Sequence, residues 1–395
     1  MNPHFEAHLK EVHTWYNSGD TSLALRRLTD SAIETQNVSV FAETIRFYEW
    51  LEGKKETPQD ETREKAFSLL EKISNAGVKS ADVGISAPNK ILTVKNVHKQ
   101  YSNSGFKIKN LNFNLNDRQI TGLVGENGNG KTTLLRLLAA ELKPDSGTIN
   151  YDFSPRADQY DLRAKLIYIE QRIPRWYGTL MDNLKFVLPY YGIKGDNNHL
   201  WAEIMIARLG LRPYRHLTWS RLSSGYRTRF ELAKTLLRRP KILLLDEPLA
   251  NLDIISQQTI LQDLKYMASS VSAPFGMILS SQHIYEVEKV SDTIIFIKNG
   301  VPQYQDTNND IAGTTEQPVQ QELILEMEVD CERDALNTAL SQLKLNKIHF
   351  NGGVYLLHFD GGTSLSTVLE VLATNRIEPT YFRNISQSSR RFFIS

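Results

Sequence analysis

The segment that decides the fold is GENGNGKT, residues Gly125 to Thr132. It matches the spacing of a phosphate-binding loop, in which glycines let consecutive backbone N–H groups converge on phosphate oxygens. The helix predicted from Lys131 adds the positive end of its dipole, Lys131 reaches the terminal phosphates, and the Thr132 hydroxyl is a ligand for Mg²⁺. A glycine-rich turn that contains Gly-Lys-Thr by chance is the alternative. The nucleotide ligands predicted in this segment and directly after it are Gly125, Glu126, Asn127, Gly128, Asn129, Gly130, Lys131, Thr132 and Thr133.

A second segment, KILLLDEP at residues 241–248, supplies the other half of a nucleotide site. Its apolar run indicates a buried parallel strand, and ligands of such sheets bind beyond the carboxyl ends of the strands. Asp246, at that end, would hold the hydration shell of Mg²⁺. Glu247 would polarise a water molecule for attack on the γ-phosphate. A strand that ends in a solvated acidic turn is the alternative.

Further motifs occur in a fixed order around these two segments. LSSGY lies at Leu222–Tyr226, before the strand that carries Asp246, and NLD lies at Asn251–Asp253, after it. This order resembles that of the ATP-binding cassette (ABC) ATPases, the motor subunits of ABC transporters. The resemblance covers roughly residues 90–305 and implies an ATPase that uses ATP and Mg²⁺.

The resemblance also implies roles for residues outside the two segments. Tyr101 would stack on adenine, Gln171 would contact Mg²⁺ and a membrane partner, and His283 would act with Glu247 in catalysis. Ser223 and Gly225 would bind the γ-phosphate held by a second cassette, and Asn251–Asp253 would contact that cassette. The implied Mg²⁺ ligands are Thr132, Gln171 and Asp246. An ordinary surface aromatic, a solvated loop residue and a strand-capping histidine are the alternatives for Tyr101, Gln171 and His283.

The LSSGY motif departs from the commonest form of this signature, which has Gly-Gly-Gln after Leu-Ser. Ser224 and Tyr226 occupy the third and fifth positions. The binding function requires a hydroxyl at Ser223 and a close backbone approach at Gly225, and the sequence has both residues. We therefore expect an active motor.

The resemblance implies partners as well. The chain has one phosphate loop and one signature, so it needs a second cassette. A homodimer is the simplest solution, and a heterodimer with a relative is the alternative. Transmembrane permease subunits would couple through the Gln171 region and residues 172–220, most simply in an exporter with separate membrane chains. The chain would then be cytoplasmic, peripheral on the inner face of the cell membrane through its permease partner.

Two other functions stay open at this point. One is a soluble ABC ATPase that acts on nucleic acid or ribosomes, although such proteins usually carry two cassettes or long coiled-coil insertions. The other is a transporter ATPase whose C-terminal domain senses a ligand. Formal net charge is +1 over 395 residues, so no specific nucleic acid partner is expected. Residues 91–305 nevertheless carry 28 basic and 19 acidic side chains, which suits a centre that binds anions.

Composition and patterning predict the domain organisation. Hydrophobic residues make up 41% and charged residues 23%, as in soluble globular proteins. The one cysteine, Cys331, excludes a disulfide framework, and the N-terminus has no apolar core of signal-peptide type. His4 and His8 have helical i, i+4 spacing and are expected to be surface residues, since no third metal ligand accompanies them.

The predicted fold class is α/β, with a P-loop ABC-type core between two smaller domains. Residues 1–85 predict a helical N-terminal domain, whose first helix pair resembles a tetratricopeptide unit; a bundle without repeats is the alternative. Residues 86–305 form the cassette. Residues 306–395 comprise a linker and a small α+β domain, whose βαββαβ order predicts a ferredoxin-like sandwich.

Overall fold

Contacts between residues divide the chain of the computed structural model into two units, Met1–Gln305 and Asp306–Ser395. The domain boundary predicted at residue 85 lies outside the described residues, and so does most of the linker predicted from residue 306 onwards. The structure describes residues 2–54, 59–78, 88–101, 107–153, 159–250, 252–283, 287–307, 322–331, 333–351 and 353–386.

Four helices begin the first unit. They are α1 (Pro3–Asn17), α2 (Thr21–Glu34), α3 (Val38–Glu52) and α4 (Gln59–Ala76). Asn2 caps α1 and Asp20 caps α2 through side-chain acceptors for N-terminal N–H groups. Apolar residues at three- and four-residue spacing, among them Phe5, Leu28 and Ile73, form one buried cluster between the four helices.

Two sheets follow in the first unit. Their strands are β1 (Lys90–Gln100), β2 (Lys107–Asn116), β3 (Ile120–Val124), β4 (Ser146–Tyr151), β5 (Leu166–Ile169), β6 (Ile242–Leu245), β7 (Gly276–Ser281), β8 (Thr293–Lys298) and β9 (Val301–Thr307). The larger sheet has the order β5-β6-β7-β3-β8-β9, with β5 to β8 parallel. The smaller sheet is antiparallel, in the order β2-β1-β4. All residues of β3, β6 and β7 are buried, as expected for the centre of a parallel sheet.

The remaining helices of the first unit pack against its sheets or against one another. They are α5 (Lys131–Leu138), α6 (Gln159–Lys165), α7 (Leu180–Val187), α8 (Asp196–Arg208), α9 (Ser224–Leu236) and α10 (Ile254–Ala268). Leu134 and Leu137 of α5 join a buried cluster with both sheets. Helices α7, α8 and α9 pack on one another, and α10 connects β6 to the parallel strand β7. Among the helices in the described ranges, none is long and apolar enough to cross a bilayer.

His8 differs from its sequence-based prediction. His4 is exposed, but the His8 ring lies against Tyr266 of α10, with ring centroids 4.6 Å apart. Burial lowers the pKa of the His8 imidazole. The prediction of two surface histidines is therefore wrong for His8, because α1 packs against the cassette. Among the described residues, no group of three or more His, Cys, Asp or Glu side chains could hold a metal ion.

The second unit is a four-stranded sheet with two helices. Its elements are β10 (Leu323–Val329), α11 (Arg333–Leu340), β11 (Leu345–Asn351), β12 (Val354–Phe359), α12 (Leu365–Thr374) and β13 (Pro379–Asn384). The sheet is antiparallel, in the order β11-β12-β10-β13. Leu336 of α11 and Val368 of α12 are fully buried in the core that covers the sheet.

Candidate functional site

Four neighbouring parallel strands end at the predicted site. Gln171 comes shortly after β5, Asp246 directly follows β6, Gln282 directly follows β7, and the phosphate loop follows β3. These strands are adjacent in the order β5-β6-β7-β3, so their carboxyl ends meet at one edge of the sheet. This is the edge where open α/β sheets bind ligands.

The backbone of the phosphate loop requires glycine at several positions. Gly128 and Gly130 have φ angles of 83° and 100°, in the left-handed region where a side chain is strained. A Cβ on Gly125 would lie 2.5 Å from the Ile297 carbonyl oxygen. Helix α5 begins directly after Gly130, so its first N–H groups lie at the end of the loop.

Asn129 supports the loop from within. Its side chain is 7% exposed, and its Oδ1 accepts from the Asn299 N–H at 2.9 Å. The Asn129 carbonyl accepts from the Gly300 N–H at 3.2 Å. The side chain and the carbonyl of Asn129 thus tie the loop to the turn between β8 and β9, and its contact with nucleotide through the backbone stays a prediction. Glu126, Asn127 and Gly128 are exposed at the top of the loop.

Lys131 is buried at the centre of the loop. Its Nζ donates to the carbonyl oxygens of Gly125 at 2.7 Å and Glu126 at 3.3 Å. The same Nζ lies 3.2 Å from Glu247 Oε1. Only 5% of the Lys131 side chain is exposed. Two carbonyl oxygens and one carboxylate therefore bind this cation in place of water.

Asp246 is held rigidly at the end of β6. Ser280 Oγ donates to its Oδ1 at 2.7 Å, and the Tyr168 hydroxyl donates to its Oδ2 at 3.1 Å. Burial and the nearby Asp246 charge raise the pKa of Tyr168, which keeps that hydroxyl protonated as a donor. Asp246 is 3% exposed and has one donor on each oxygen. The carboxylate is thus fixed in orientation at the strand end.

Glu247 has an unusual backbone and four polar partners, one of which is Lys131. Its φ angle is 46°, which is uncommon for a residue with a side chain, and its N–H donates to Ser280 Oγ at 2.9 Å. Oε2 accepts from Gln171 Nε2 at 3.0 Å and from Gln282 Nε2 at 2.8 Å. Strained backbone that the surrounding structure maintains is concentrated at functional sites. The strain directs this carboxylate towards the loop and Lys131.

The remaining predicted residues lie around this cluster with fewer contacts. His283 is exposed after β7, and its N–H donates to Ser281 Oγ at 2.9 Å. Thr132 is exposed and Thr133 half-buried in the first turn of α5. Tyr101 is half-buried directly after β1. Their contacts with a nucleotide remain predictions.

The signature segment lies at the start of α9. Ser223 is the N-cap residue, whose Oγ accepts from the Tyr226 N–H at 3.4 Å, and it is exposed. A Cβ on Gly225 would lie 3.2 Å from Leu252 Cδ2. Among the described residues, no hydrogen bond or ion pair joins Ser223 or Gly225 to the Lys131 cluster. The next signature residue, Ser224, lines one cavity with Gln171 and Glu247.

The predicted dimer-contact loop lies next to the signature. Asn251 lies outside the described residues, whereas Leu252 is half-buried and Asp253 is exposed. Asp253 caps α10 by accepting from the Ser256 N–H at 2.9 Å. The hydrogen bonds from Ser256 and the backbone lower the pKa of the Asp253 carboxyl.

Three residues of the site were missed by sequence reasoning. Ser280 bridges Asp246 and the Glu247 N–H, Tyr168 donates to Asp246, and Gln282 donates to Glu247. A signal was available for each, since all lie in or directly after β5 or β7, beside the strand that carries Asp246. Polar residues at the ends of neighbouring strands would have been candidates.

The oxygen donors of the site fit Mg²⁺. Asp246 offers a fixed carboxylate, and Thr132 offers an exposed hydroxyl. Gln171 donates through its Nε2 to Glu247, which leaves its amide carbonyl oxygen as the group for a cation. Hard oxygen ligands of this kind, few in number, suit Mg²⁺ that also binds nucleotide phosphates.

Comparisons with known proteins support the nucleotide site. The family model described as "ABC transporter" matches residues 108–250. The spermidine/putrescine import ATP-binding protein PotA of Mycoplasma mycoides is 29% identical over 229 residues, which are 58% of this chain and 64% of that protein. The probable multidrug ABC transporter ATP-binding protein YbhF of Escherichia coli K12 is 33% identical over 190 residues, 47% of this chain and 32% of that protein.

A solved structure agrees with these relatives. CbiO1 of Clostridium perfringens, part of the ABC transporter complex cbiONQ, is 26% identical, with a TM-score of 0.50. The match covers 55% of this chain and 89% of that protein. The residues that the family model matches include the phosphate loop, Asp246 and Glu247. The chain therefore contains an ATP-binding nucleotide-binding domain of the ABC ATPase family.

Proposed function

We propose that this chain is the ATP-hydrolysing subunit of an ABC transporter. One observation carries the proposal: Lys131 pairs with Glu247 at the sheet edge that also holds Asp246, whereas the exposed Ser223 has no hydrogen bond or ion pair with them in the described part of the chain. A single chain would thus supply the phosphate-loop half of one nucleotide site and the signature half of another. Completion of each site by a second chain would couple nucleotide binding to a change in assembly.

The chemistry follows from the contacts of the buried cluster. The phosphate-loop N–H groups and Lys131 bind the β- and γ-phosphates, which replace the two carbonyls and the carboxylate on Lys131. Glu247 is then released to accept a proton from the attacking water, and Gln282 holds its Oε2. Thr132, Gln171 and Asp246 would hold Mg²⁺, which would supply charge neutralisation at the phosphates.

Other parts of the proposed site flank this cluster. Tyr101 stacks on the adenine, and His283, at the end of β7, contacts the γ-phosphate. The exposure of His283 next to the fixed Ser281–Gln282 segment supports such a contact.

The second cassette completes each site. Ser223 and the Gly225 N–H, at the N-terminus of α9, bind the γ-phosphate held by the partner, where the helix dipole favours an anion. A homodimer is the proposed assembly, because each copy carries both halves. Asn251–Asp253, which follows Pro248–Ala250 in the sequence, would line the contact between the two cassettes.

Membrane subunits are the proposed second partner. The segment after Gln171 exposes aromatic rings at Tyr177, in the loop before α7, at Phe186 of α7 and at Tyr190 shortly after it, with 83%, 69% and 77% of their surfaces accessible. Such exposure supports a partner surface in the region expected to couple to a permease. The chain would then be peripheral on the inner face of the membrane.

Transport direction and the outer domains are the finer parts of the proposal. Names of relatives include both a spermidine/putrescine import protein and a probable multidrug transporter protein. We propose export, since it needs only cassettes and membrane subunits. The strand order of residues 323–384 supports a ferredoxin-like domain, and α1–α4 support a helical N-terminal domain.

Purification of the chain from gently solubilised membranes tests the transport role. We expect a multi-span membrane protein to co-purify and to stimulate ATP hydrolysis. A triple variant with Tyr177, Phe186 and Tyr190 changed to Ser should lose that protein and keep its unstimulated hydrolysis. Hydrolysis that RNA stimulates, with no membrane partner, would contradict the proposal.

A further inference from the structure

The N-terminal helices contact two different parts of the cassette. The core lobe is the six-stranded sheet with α10 and the loop 269–275. The helical lobe is α7, α8, the turn 212–214 and α9, whose first turn carries the signature. Helices α2 and α3 pack against α8. Polar side chains of α2 and α3 also contact residues outside α8. Three sets of contacts connect them to the two lobes.

The first set of contacts attaches α2 to the core lobe. The Glu34 carboxylate accepts from the Val271 N–H at 3.0 Å and the Ser272 N–H at 2.7 Å, in the loop after α10. Glu34 is 3% exposed, so these charge-assisted hydrogen bonds are shielded from water. Arg26 Nη1 lies 3.3 Å from Asp263 Oδ1 of α10. The middle and the C-terminal end of α2 therefore bind the core lobe.

The second set of contacts joins α2, α8 and α10 at one point. Arg208, at the end of α8, is 1% exposed; its Nε is bonded to Asp30 Oδ1 of α2, and its Nη1 lies 3.4 Å from Asp263 Oδ2 of α10. Arg27 also pairs with Asp30, at 2.9 Å. Burial lowers the pKa of Arg208, but Asp263 and Asp30 more than offset this and raise it, so the guanidinium stays charged. A buried cation between carboxylates from two elements fixes their relative position.

The third set of contacts leads from α3 to the signature. Glu52 accepts two hydrogen bonds from Arg212, at 2.7 Å from Nε and 3.1 Å from Nη2. Arg212 begins the turn that contains Tyr214, and the Tyr214 hydroxyl donates to the Tyr226 hydroxyl at 2.7 Å. The two rings lie 3.9 Å apart. Tyr226 is in the first turn of α9, and its N–H donates to Ser223 Oγ.

We propose that Glu34 and Glu52 are positioning residues, through which the N-terminal helices hold the signature-bearing lobe in a fixed orientation on the core lobe. The inference rests on the proposed function, since orientation matters only if Ser223 must meet a nucleotide on a second chain. A lobe held in place loses less freedom when the dimer closes, so turnover is faster. The proposal also gives a role to the fifth position of the LSSGY motif, because Tyr226 connects the motif to Tyr214.

The test uses the full chain with Glu34→Gln, Glu52→Gln and the double substitution. Each change keeps the shape and removes the charge that strengthens the hydrogen bonds. We expect turnover per folded molecule to fall about three- to tenfold in each single variant, the effect of a remote coupling change. Monomeric ATP affinity and KM should stay within about twofold, because the phosphate loop contacts neither residue. The double variant should lose less than the product of the two single losses, since release of either end frees the helices.

Glu43→Gln is the matched control. Glu43 lies on α3, as Glu52 does, but pairs with Lys72 of α4 at 2.8 Å, within the N-terminal helices. Its turnover should equal that of the parent chain. Turnover in Glu34→Gln and Glu52→Gln that matches this control, or that rises, would overturn the positioning role.

Hydrogen exchange without nucleotide separates this inference from the proposed function. In Glu52→Gln, amides of residues 212–227 should exchange at least about threefold faster, while those of α5 should be unchanged. Unchanged protection over 212–227 would overturn the inference whatever the ATPase assay gives. Absence of hydrolysis in the parent chain, with the exchange result as expected, would contradict only the proposed function.

Discussion

Lys131 Nζ lies 3.2 Å from Glu247 Oε1, so the side chain expected to bind the terminal phosphates is paired with the side chain expected to activate water. The pair must separate before Lys131 can bind phosphate and Glu247 can activate water. Phosphate oxygens would attract Lys131 away from Glu247 and leave the carboxylate to accept a proton. In this account, nucleotide binding itself releases the base, and Gln171 and Gln282 keep Glu247 at the sheet edge.

Glu247→Gln should keep nucleotide binding and lose most turnover. The amide preserves the shape but cannot accept a proton from water, and general-base catalysis contributes about 10²–10⁴-fold. ATP affinity should be at least as tight as in the parent chain, because Lys131 loses a competing anion. Phosphate release and a binding titration measure both quantities. Glu141→Gln, at an exposed pair with Arg136, is the control and should be unchanged. Turnover of Glu247→Gln within about twofold of the parent would contradict the assignment.

Lys131→Ala should weaken nucleotide binding. A charge-assisted hydrogen bond contributes roughly 1.5–3 kcal/mol, which corresponds to about ten- to a hundredfold in Kd. Calorimetric titration with ATP measures the change. Lys165→Ala removes a half-buried lysine that pairs with Asp161, away from the phosphate loop, and should leave Kd unchanged. Equal affinities in the two variants would count against the phosphate loop.

Gly125→Ala should lower stability and weaken ATP binding, whereas Gly362→Ala should leave both unchanged. The new Cβ at position 125 would meet the Ile297 carbonyl oxygen at 2.5 Å, and a backbone atom cannot move aside cheaply. No heavy atom lies within 4 Å of a Cβ at position 362. We expect a loss of roughly 1–3 kcal/mol in the free energy of unfolding, together with weaker ATP binding, for Gly125→Ala alone. Denaturant titration and nucleotide binding are the measurements. Parent-like values for Gly125→Ala would show that the loop tolerates the methyl group.

Ser280→Ala should reduce turnover more than nucleotide affinity. Ser280 is fully buried, and it orients Asp246 while it accepts from the Glu247 N–H. Its loss leaves a buried N–H unpaired, at a cost of about 1–3 kcal/mol in stability. Ser269→Ala, which removes an exposed hydroxyl, is the control. Assays of hydrolysis at several Mg²⁺ concentrations should show a higher Mg²⁺ requirement in Ser280→Ala only. An unchanged requirement would mean that Ser280 does not position Asp246.

The strand-end residues were the part of the site that local sequence could predict. Runs such as ILLL at Ile242–Leu245 indicate a buried parallel strand, and such strands place the next residue at the ligand edge. Asp246 and the glycines of the phosphate loop could therefore be placed from spacing alone. The pairing of Lys131 with Glu247 could not, because it depends on which strands are neighbours.

Contacts between distant segments were beyond the sequence pattern. Arg208 and Asp30 are 178 positions apart, and nothing in either helix's periodicity indicates a charged residue that is fully buried. Periodicity predicts α2 and α8 as amphipathic helices, but the partner of a buried charge is set by packing. The side chain of Asn129 has the same explanation: the loop pattern does not indicate its partner, and packing places its Oδ1 against the Asn299 N–H.

The central claim is that Ser223 acts on the nucleotide of a second chain, and mixing two inactive variants tests it most directly. Ser223→Arg should keep monomeric ATP binding, block dimer closure and lose hydrolysis; Lys131→Ala should lose hydrolysis through weak binding. A heterodimer of the two contains one site with an intact Lys131 from one chain and an intact Ser223 from the other. ATP hydrolysis per folded chain should therefore return in part on mixing. If Ser223 only caps α9, Ser223→Arg costs about 0.5–2 kcal/mol in stability and keeps near-normal turnover alone, and that result would contradict the account.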